Sequence, residues 1–290
     1  MPMNALAPCP TTAAKPGAAL AGARHEAAWR ALRQDDAEAL GALLGSDPAW
    51  ALGLREPGTG RSLVASAVFL HRHRALGLLL DAGGDPDGLD GADAASSLLT
   101  RAAASRCMAC VESLVSAGAH LDAEDPQSRT PLVAAAMVKS APRALEISMA
   151  LLDAGADPSK MSSLGYFPLG MAAQEDNDAL VRELVERGAP LETKAGDGYT
   201  ALFYAVENDA RKAIEALLRA GADLGARAQA EFGSGPGAEL RDVDPLELAA
   251  GRALPSALAL LYAFSEARAL RGKIEERSRG VARERSASRL

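Results

Sequence analysis

The chain has 290 residues, a formal net charge of −7 and 48% hydrophobic residues, but only 4% aromatic residues. This length allows two globular domains or one elongated array. The modest negative charge gives no indication of a nucleic-acid-binding protein. A core with so few aromatic rings must be built from Ala, Leu and Val, which suits thin repeated layers better than one deep globular centre.

Three cysteines, Cys9, Cys107 and Cys110, are too few and odd in number for a disulfide framework. We therefore expect a reducing compartment or a protein indifferent to redox. The predicted location is the cytoplasm, with export as an effector left open. No stretch reaches the ~18 apolar residues that a membrane span requires. The first twenty residues lack the charged start and continuous apolar segment of a secretory signal. The sequence thus favours a protein without membrane association.

The N-terminal residues 1–23 are rich in Ala, Pro, Thr and Gly, which predicts a disordered segment. An array of repeats is expected at residues 24–265. Because terminal repeats are atypical, the segment His25–Asp47 is predicted to form a capping helix pair.

Two apolar blocks alternate along the array, and a Gly-containing string closes each pair. The period lies near 33 residues, which is typical of a repeat solenoid whose stacked units bury one continuous core. Thr or Ser at the start of a first block can cap a helix, and Gly just after the second block suits a positive φ. The first blocks begin at Ser62, Ser97, Thr130, Phe167, Thr200 and Asp244, and the closing glycines are Gly83, Gly118, Gly155, Gly188 and Gly221.

Two segments depart from the period. The Gly-rich insertion Glu231–Val243 is predicted to be a mobile finger or a slack connection, since insertions map to loops. Residues 266–290 are predicted to form a basic C-terminal helix or tail, with eight Arg or Lys and three Glu from Arg268 onward. Such a run favours a solvated, fraying helix end.

The repeats resemble the ankyrin family. The segment Gly196–Leu224 follows the family motif most closely, and Thr130-Pro131-Leu132 reproduces its Thr-Pro-Leu triplet, whereas the motif's His is replaced throughout. The resemblance covers residues 24–265. It implies an all-α ankyrin-repeat solenoid of about seven helix–turn–helix units with hairpin loops.

The resemblance also implies a protein–protein interaction module or adaptor. We expect no enzymatic activity, no cofactor and no metal site, because the sequence has no GxSxG, phosphate-binding Gly loop or HExxH motif. Its partner would be another protein, held on the concave face and hairpin fingers, and we expect a monomer. In bacteria, similar arrays occur as secreted effectors and as accessory or immunity proteins of toxins. Carried over by position, the partner-binding residues are Arg61, Phe69, Leu70, Arg129, Met137, Val138, Tyr166, Gln174, Glu175, Tyr199, Glu207 and Asn208.

Tyr166 and Tyr199 stand 33 residues apart, so they should be stacked neighbours at the centre of this site. Tyr and Arg are frequent interface anchors. The alternative is that both tyrosines pack against their own hairpins.

Two other functions remain open. Cys107 and Cys110 form a CxxC pair that could serve a thiol-redox enzyme or sensor, although two small buried residues are the simpler interpretation. The basic tail could bind nucleic acid or an acidic surface. Nucleic acid is disfavoured because no aromatic residues lie among the arginines.

Overall fold

The computed structural model describes residues 16–88, 97–139, 141–232 and 239–287. The fold is an all-α repeat solenoid with one small sheet. The described residues form two compact units, the first ending at residue 88 and the second beginning at residue 97.

The first unit contains five helices within its described residues. Helix α1 begins at Pro16, so residues 16–23 are helical and not disordered as the composition predicted; residues 1–15 lie outside the described residues. Helix α1 packs on α2 and α4, and α2 packs on α5. The helices are α1 (Pro16–Gln34), α2 (Ala37–Ser46), α3 (Pro48–Leu52), α4 (Leu63–Phe69) and α5 (His73–Asp81).

The second unit contains five helix pairs and, before the last pair, two strands. Each first helix contacts the next first helix, and each second helix contacts the next second helix, as expected for a solenoid. The elements are α6 (Leu98–Ala104), α7 (Met108–Ser116), α8 (Pro131–Ala136), α9 (Ala141–Asp153), α10 (Pro168–Gln174), α11 (Asp178–Glu186), α12 (Ala201–Glu207), α13 (Arg211–Ala220), β1 (Ala228–Phe232), β2 (Glu239–Val243), α14 (Pro245–Gly251) and α15 (Pro255–Ala287).

The predicted helix starts are confirmed, because all six residues that open the first blocks are N-caps. The side chains of Ser62, Ser97 and Thr130 each accept the backbone N–H three residues further on. Asp244 forms a reciprocal capping box with Glu247. The five closing glycines also have the predicted positive φ.

Small side chains bring the two helices of each pair close together. Ala135, Ala172 and Ala205 on the first helices are fully buried. Leu184 and Leu217 on the second helices are also fully buried. Burial of a Leu side chain contributes roughly 1.5–3 kcal/mol. The core is therefore a succession of thin aliphatic layers.

A repeated polar contact joins neighbouring helix pairs. The carboxylate of Asp176, in the turn between α10 and α11, accepts the N–H of Ala213 at 2.9 Å. Asp209, in the turn between α12 and α13, accepts the N–H of Ala257 at 2.8 Å. Each bond satisfies an N–H of the first turn of the next second helix, which has no partner within its own helix.

The insertion before Asp244 forms a β-hairpin where the sequence analysis predicted a mobile finger or slack connection. Strands β1 and β2 pair antiparallel, with Ala228 opposite Val243 and Phe232 opposite Glu239. Ala228, Ala230 and Val243 are buried, so one face of the hairpin packs against the unit. Residues 233–238 of the predicted finger lie outside the described residues.

Candidate partner-binding site

Four of the predicted residues occupy the same position of successive hairpin loops, directly before an N-cap. The carbonyl of each accepts a backbone N–H from the start of its own loop, which closes the turn. In the first unit Arg61 accepts from Glu56 at 2.8 Å; in the second, Arg129 accepts from Asp125 at 2.9 Å, Tyr166 from Ser162 at 2.8 Å and Tyr199 from Ala195 at 2.9 Å.

In the first unit, three predicted residues lie at the two ends of α4. The guanidinium of Arg61 lies 3.9 Å from the centroid of the Phe69 ring, a cation–π contact. Leu70, which follows α4, is 41% exposed. The structure therefore brings Arg61 and Phe69 together and leaves an apolar side chain beside them in solvent.

Arg129 braces its own hairpin loop. Its Nε and Nη2 atoms donate to Oδ2 of Asp125 at 2.9 and 2.6 Å. Met137, at the end of α8, is half-buried. Val138 is only 8% exposed, whereas the sequence analysis placed it at an exposed position. Its side chain completes the core after α8 and offers little surface to a partner.

Five aromatic side chains gather where two consecutive hairpin loops meet α12. The ring centroids of Tyr199 and Phe203 lie 5.3 Å apart, those of Tyr199 and Tyr204 5.5 Å, and those of Phe167 and Tyr204 6.2 Å. Tyr166 lies close enough to Tyr204 to influence its ionisation. We call Tyr166, Phe167, Tyr199, Phe203 and Tyr204 the aromatic cluster.

Exposure within the aromatic cluster is uneven. Tyr166 and Tyr204 are half-buried, while Phe203 is fully buried. Tyr199 is 6% exposed, where the sequence analysis expected an exposed anchor. The packing of Tyr199 on Phe203 and Tyr204 explains this burial, since the three rings fill one space. The surface of the cluster is therefore formed by Tyr166 and Tyr204.

A carboxylate holds two tyrosines of the cluster in place. The Tyr204 hydroxyl donates to Oδ2 of Asp197 at 2.8 Å, and the backbone N–H of Tyr199 donates to Oδ1 of the same residue at 2.9 Å. Burial, followed by the hydrogen bond to Asp197, raises the pKa of Tyr204 well above its ordinary value. Burial is also the main cause of the raised pKa of Tyr199. Both phenols stay neutral hydrogen-bonding groups at physiological pH.

An ion pair continues this surface beyond the aromatic cluster. Nη2 of Arg252 lies 3.0 Å from Oε1 of Glu207, and the two side chains are 35% and 34% exposed. The charges of both side chains influence the ionisation of Tyr199. The Arg252 guanidinium also lies 5.5 Å from the centroid of the Phe232 ring. Arg252 thus connects the aromatic cluster with the β-hairpin.

Phe232 sits against α14 because Gly251 has no side chain. A Cβ atom built on Gly251 would lie 2.3 Å from the Phe232 ring, too close for any real contact. On strand β2, Arg241 lies 5.5 Å from the same ring centroid. The Phe232 ring is therefore one of the contacts that attach the β-hairpin to the last helix pair.

The remaining predicted residues lie at the ends of first helices. Gln174 and Glu175 are half-buried at the end of α10. Asn208 is exposed after α12, and its amide donates to the Tyr204 carbonyl at 3.0 Å. Glu175 and Asn208 are the C-caps of α10 and α12, so they lie one repeat apart at equivalent positions.

The sequence analysis missed Tyr204, Phe232 and Arg252. Tyr204 occupies the position between the motif's His and its alanines, where the motif specifies no residue type. An aromatic residue at such an unconstrained position was the one signal that could have marked Tyr204 as a surface residue. The β-hairpin brings Phe232 close to Arg252. The repeat period could not indicate this contact, because the insertion that forms the hairpin was predicted to be a loop.

The CxxC pair is a disulfide in the structure, with Cys107 and Cys110 bonded and their Cα atoms 5.3 Å apart. Cys107 is the N-cap of α7, and Cys110 is fully buried in the first turn. The described residues contain no cluster of three His, Cys, Asp or Glu side chains placed to hold a metal ion.

The predicted basic tail continues α15 without a break, so the described part of residues 266–290 is helical as far as Ala287. In the described part of the chain, no helix combines the length and the apolar character needed to cross a membrane.

The stacked helix pairs, the capped first helices and the closing hairpin loops define a helical repeat protein. Residues 143–228 match the family model described as ankyrin repeats, three copies. Residues 143–228 are thus similar to ankyrin repeats in sequence, and the chain has the fold of ankyrin repeat domains. Ankyrin repeats are generally protein–protein interaction modules and are typically non-enzymatic.

Two solved structures show the likeness of fold. The ankyrin repeat domain of Bcl-3, a unique member of the IkappaB protein family, is 22% identical with a TM-score of 0.64, covering 81% of this chain and 97% of that one. The human ASB11 ankyrin repeat domain is 23% identical with a TM-score of 0.61, covering 82% of this chain and 96% of that one. A sequence comparison with curated proteins gives no significant match.

Proposed function

We propose that this chain is a protein-binding adaptor whose partner docks on the hairpin loops and first helices around α10, α12 and α14. The observation that carries the proposal is the continuous surface formed by Tyr166, Tyr204, Glu207 and Arg252. Tyr199 supports this surface from beneath and is not itself the anchor. The same docking would serve a cytoplasmic adaptor, an exported effector or an accessory protein of a toxin.

The chemistry of this surface suits a protein partner. Tyr and Arg side chains combine a large contact area with a polar group, and they dominate the binding energy of many interfaces. Here the Tyr204 ring is fixed by Asp197 and by neighbouring rings, and the Arg252 guanidinium is fixed by Glu207. Because these groups are already ordered, less conformational entropy is lost when a partner binds.

Site-specific photo-crosslinking tests the location. A photoreactive phenylalanine analogue at position 166 should capture the partner, and the same analogue at position 262 should not. Tyr262 is a matched control, because it is a tyrosine 54% exposed on α15, outside the proposed surface.

The captured partner then allows an affinity measurement. Tyr166→Ala combined with Arg252→Ala should weaken binding by about 2 kcal/mol, or about 30-fold. Tyr262→Ala should leave the affinity within about twofold, since an isolated side chain outside an interface contributes little. Equal crosslinking at both positions, or full affinity in the double variant, would place the partner elsewhere on the chain.

A further inference from the structure

Helix α15 is much longer than the second helix on which it packs. The backbone N–H of Ala213 donates to Asp176, and that of Ala257 donates to Asp209. These two equivalent bonds align the third residue of α13 with the third residue of α15. Helix α13 ends after 10 residues, whereas α15 has 33. At 1.5 Å per residue, roughly 35 Å of α15 continues past the end of α13.

A groove forms where α13 ends and α15 continues. Its floor is apolar and consists of Leu218, Ala222, Leu224 and Phe264. Leu218 and Ala222 are buried, while Leu224 and Phe264 remain partly exposed. The cavity volume is about 570 Å³, which is within the range of pockets that hold several ligand side chains or a small molecule.

Arginines line the rim of this groove. On α15, Phe264, Arg268 and Arg271 recur at helical spacing and so share one face with the apolar floor. Arg219, from α13, stands on the opposite rim and is paired with Glu215 at 2.6 Å. Arg268 and Arg271 are exposed, and among the described side chains, which on α15 end at Lys273, neither has an ion-pair partner.

We propose that this groove binds an acidic peptide segment of a partner protein, with one large apolar side chain inserted between α13 and α15. Carboxylates beside that side chain would meet Arg268 and Arg271, and Arg–carboxylate pairs are among the stronger charge-assisted hydrogen bonds. Insertion of the apolar side chain would remove the apolar floor of the groove from water, which favours binding. The groove shares no residue with the surface proposed for the adaptor function, so the two proposals stand or fall separately.

A peptide fits the groove better than a nucleic acid does. Three of the four floor side chains are aliphatic, and Phe264 is a single ring, whereas non-specific single-strand binding uses successive aromatic platforms. A phosphate backbone would engage the arginines but leave the aliphatic floor exposed. Only a ligand that carries both carboxylates and an apolar side chain contacts the arginines and the apolar floor together.

Selection from a displayed library of random dodecapeptides against the full-length chain tests the proposal. The Arg268→Glu, Arg271→Glu variant serves for counter-selection. A control with the same change in net charge is Lys139→Glu with Arg211→Glu, since both are exposed residues outside the groove. Far-ultraviolet circular dichroism and thermal melting establish that each variant remains folded.

Peptides that depend on the groove should carry at least two acidic residues near a Leu or an aromatic residue. Their affinity should fall at least about tenfold in the groove variant and stay within about twofold in the control. Replacing the apolar peptide residue with Ala should weaken binding about fivefold or more.

Three results would overturn the proposal: selected peptides without acidic residues, equal losses in the groove and control variants, or no peptide that discriminates between the groove variant and the natural chain. A single-stranded oligonucleotide that binds through Arg268 and Arg271, with no such peptide found, would assign the site to nucleic acid. Peptides whose binding is lost with Tyr166→Ala instead would report on the adaptor surface.

Discussion

The Tyr204 hydroxyl donates a 2.8 Å hydrogen bond to Asp197, and this bond fixes the outer ring of the aromatic cluster to the hairpin loop before α12. Tyr204→Phe removes the donor and keeps the ring. We expect a loss of about 1 kcal/mol in unfolding free energy, because the bond is to a charged but partly solvated acceptor. Urea denaturation measures this difference in unfolding free energy. Tyr262→Phe, an exposed tyrosine, should have no measurable effect, and an equal loss in both variants would contradict this role for the bond.

The raised pKa of Tyr204 predicts a specific alkaline instability. The folded chain holds the phenolic proton to higher pH than the unfolded chain, whose tyrosines ionise near pH 10.0. Stability therefore falls as the pH rises above about 10, since the unfolded state then loses the proton first. Thermal melting between pH 9 and 11.5 should show a steeper decline for the natural chain than for Tyr204→Phe. Parallel declines would show that Tyr204 does not contribute.

The architecture was predictable because it rests on short-range rules repeated many times. A capping residue, a run of small apolar residues and a closing glycine each act within one helix turn, so Thr130 and Gly155 could be assigned from sequence alone. Tyr166 and Tyr199 were correctly predicted to lie at equivalent positions, but their exposure depends on Phe203 and Tyr204 in three dimensions.

Insertions were harder to interpret. The step from Gly118 to Gly155 is 37 residues, about four more than the period, and the extra length lies in α9, which has 13 residues where α7 and α11 have 9. The insertion before Asp244 pairs as β1 and β2, although its Gly-rich composition indicated a loop. The alternation of buried Ala228 and Ala230 with exposed Gln229 and Glu231 is a period-two signal for a strand.

Leu217 tests the layered core. It is fully buried on α13, between α11 and α15, so Leu217→Ala should cost about 2–5 kcal/mol of unfolding free energy. Because the units interact with nearest neighbours, amide exchange should accelerate in α11 and α15 before α7. Leu270→Ala is the matched control, as Leu270 is 61% exposed. Uniform acceleration across the second unit would contradict nearest-neighbour stacking.

The Cys107–Cys110 disulfide should contribute only modestly to stability. It closes a very short loop, so the conformational entropy that it removes from the unfolded chain is worth at most about 2 kcal/mol. Reductant should lower the melting temperature by a few degrees, and the Cys107→Ala, Cys110→Ala variant should not respond to it. Since Cys110 is fully buried, thiol titration of the reduced native chain should find it slow to react. Fast reaction at both thiols would favour the thiol-redox hypothesis.

Gly251→Ala tests how the β-hairpin is attached. The added methyl group would fall 2.3 Å from the Phe232 ring, so the ring must leave its place on α14. The contacts of Arg241 and Arg252 with that ring would be lost with it. Amide exchange should therefore accelerate in β1 and β2, while the second helices stay protected.

Gly77→Ala provides the matched control for this variant, because Gly77 is also helical and a Cβ there meets nothing within 4 Å. Alanine has the higher helix propensity, so Gly77→Ala should stabilise the first unit by up to about 1 kcal/mol. If Gly251→Ala behaved in the same way and left exchange in the hairpin unchanged, Phe232 would not be the residue that holds the hairpin. If exchange rises only in the hairpin, displacement of the ring is the cause, since both substitutions replace a helical Gly with Ala.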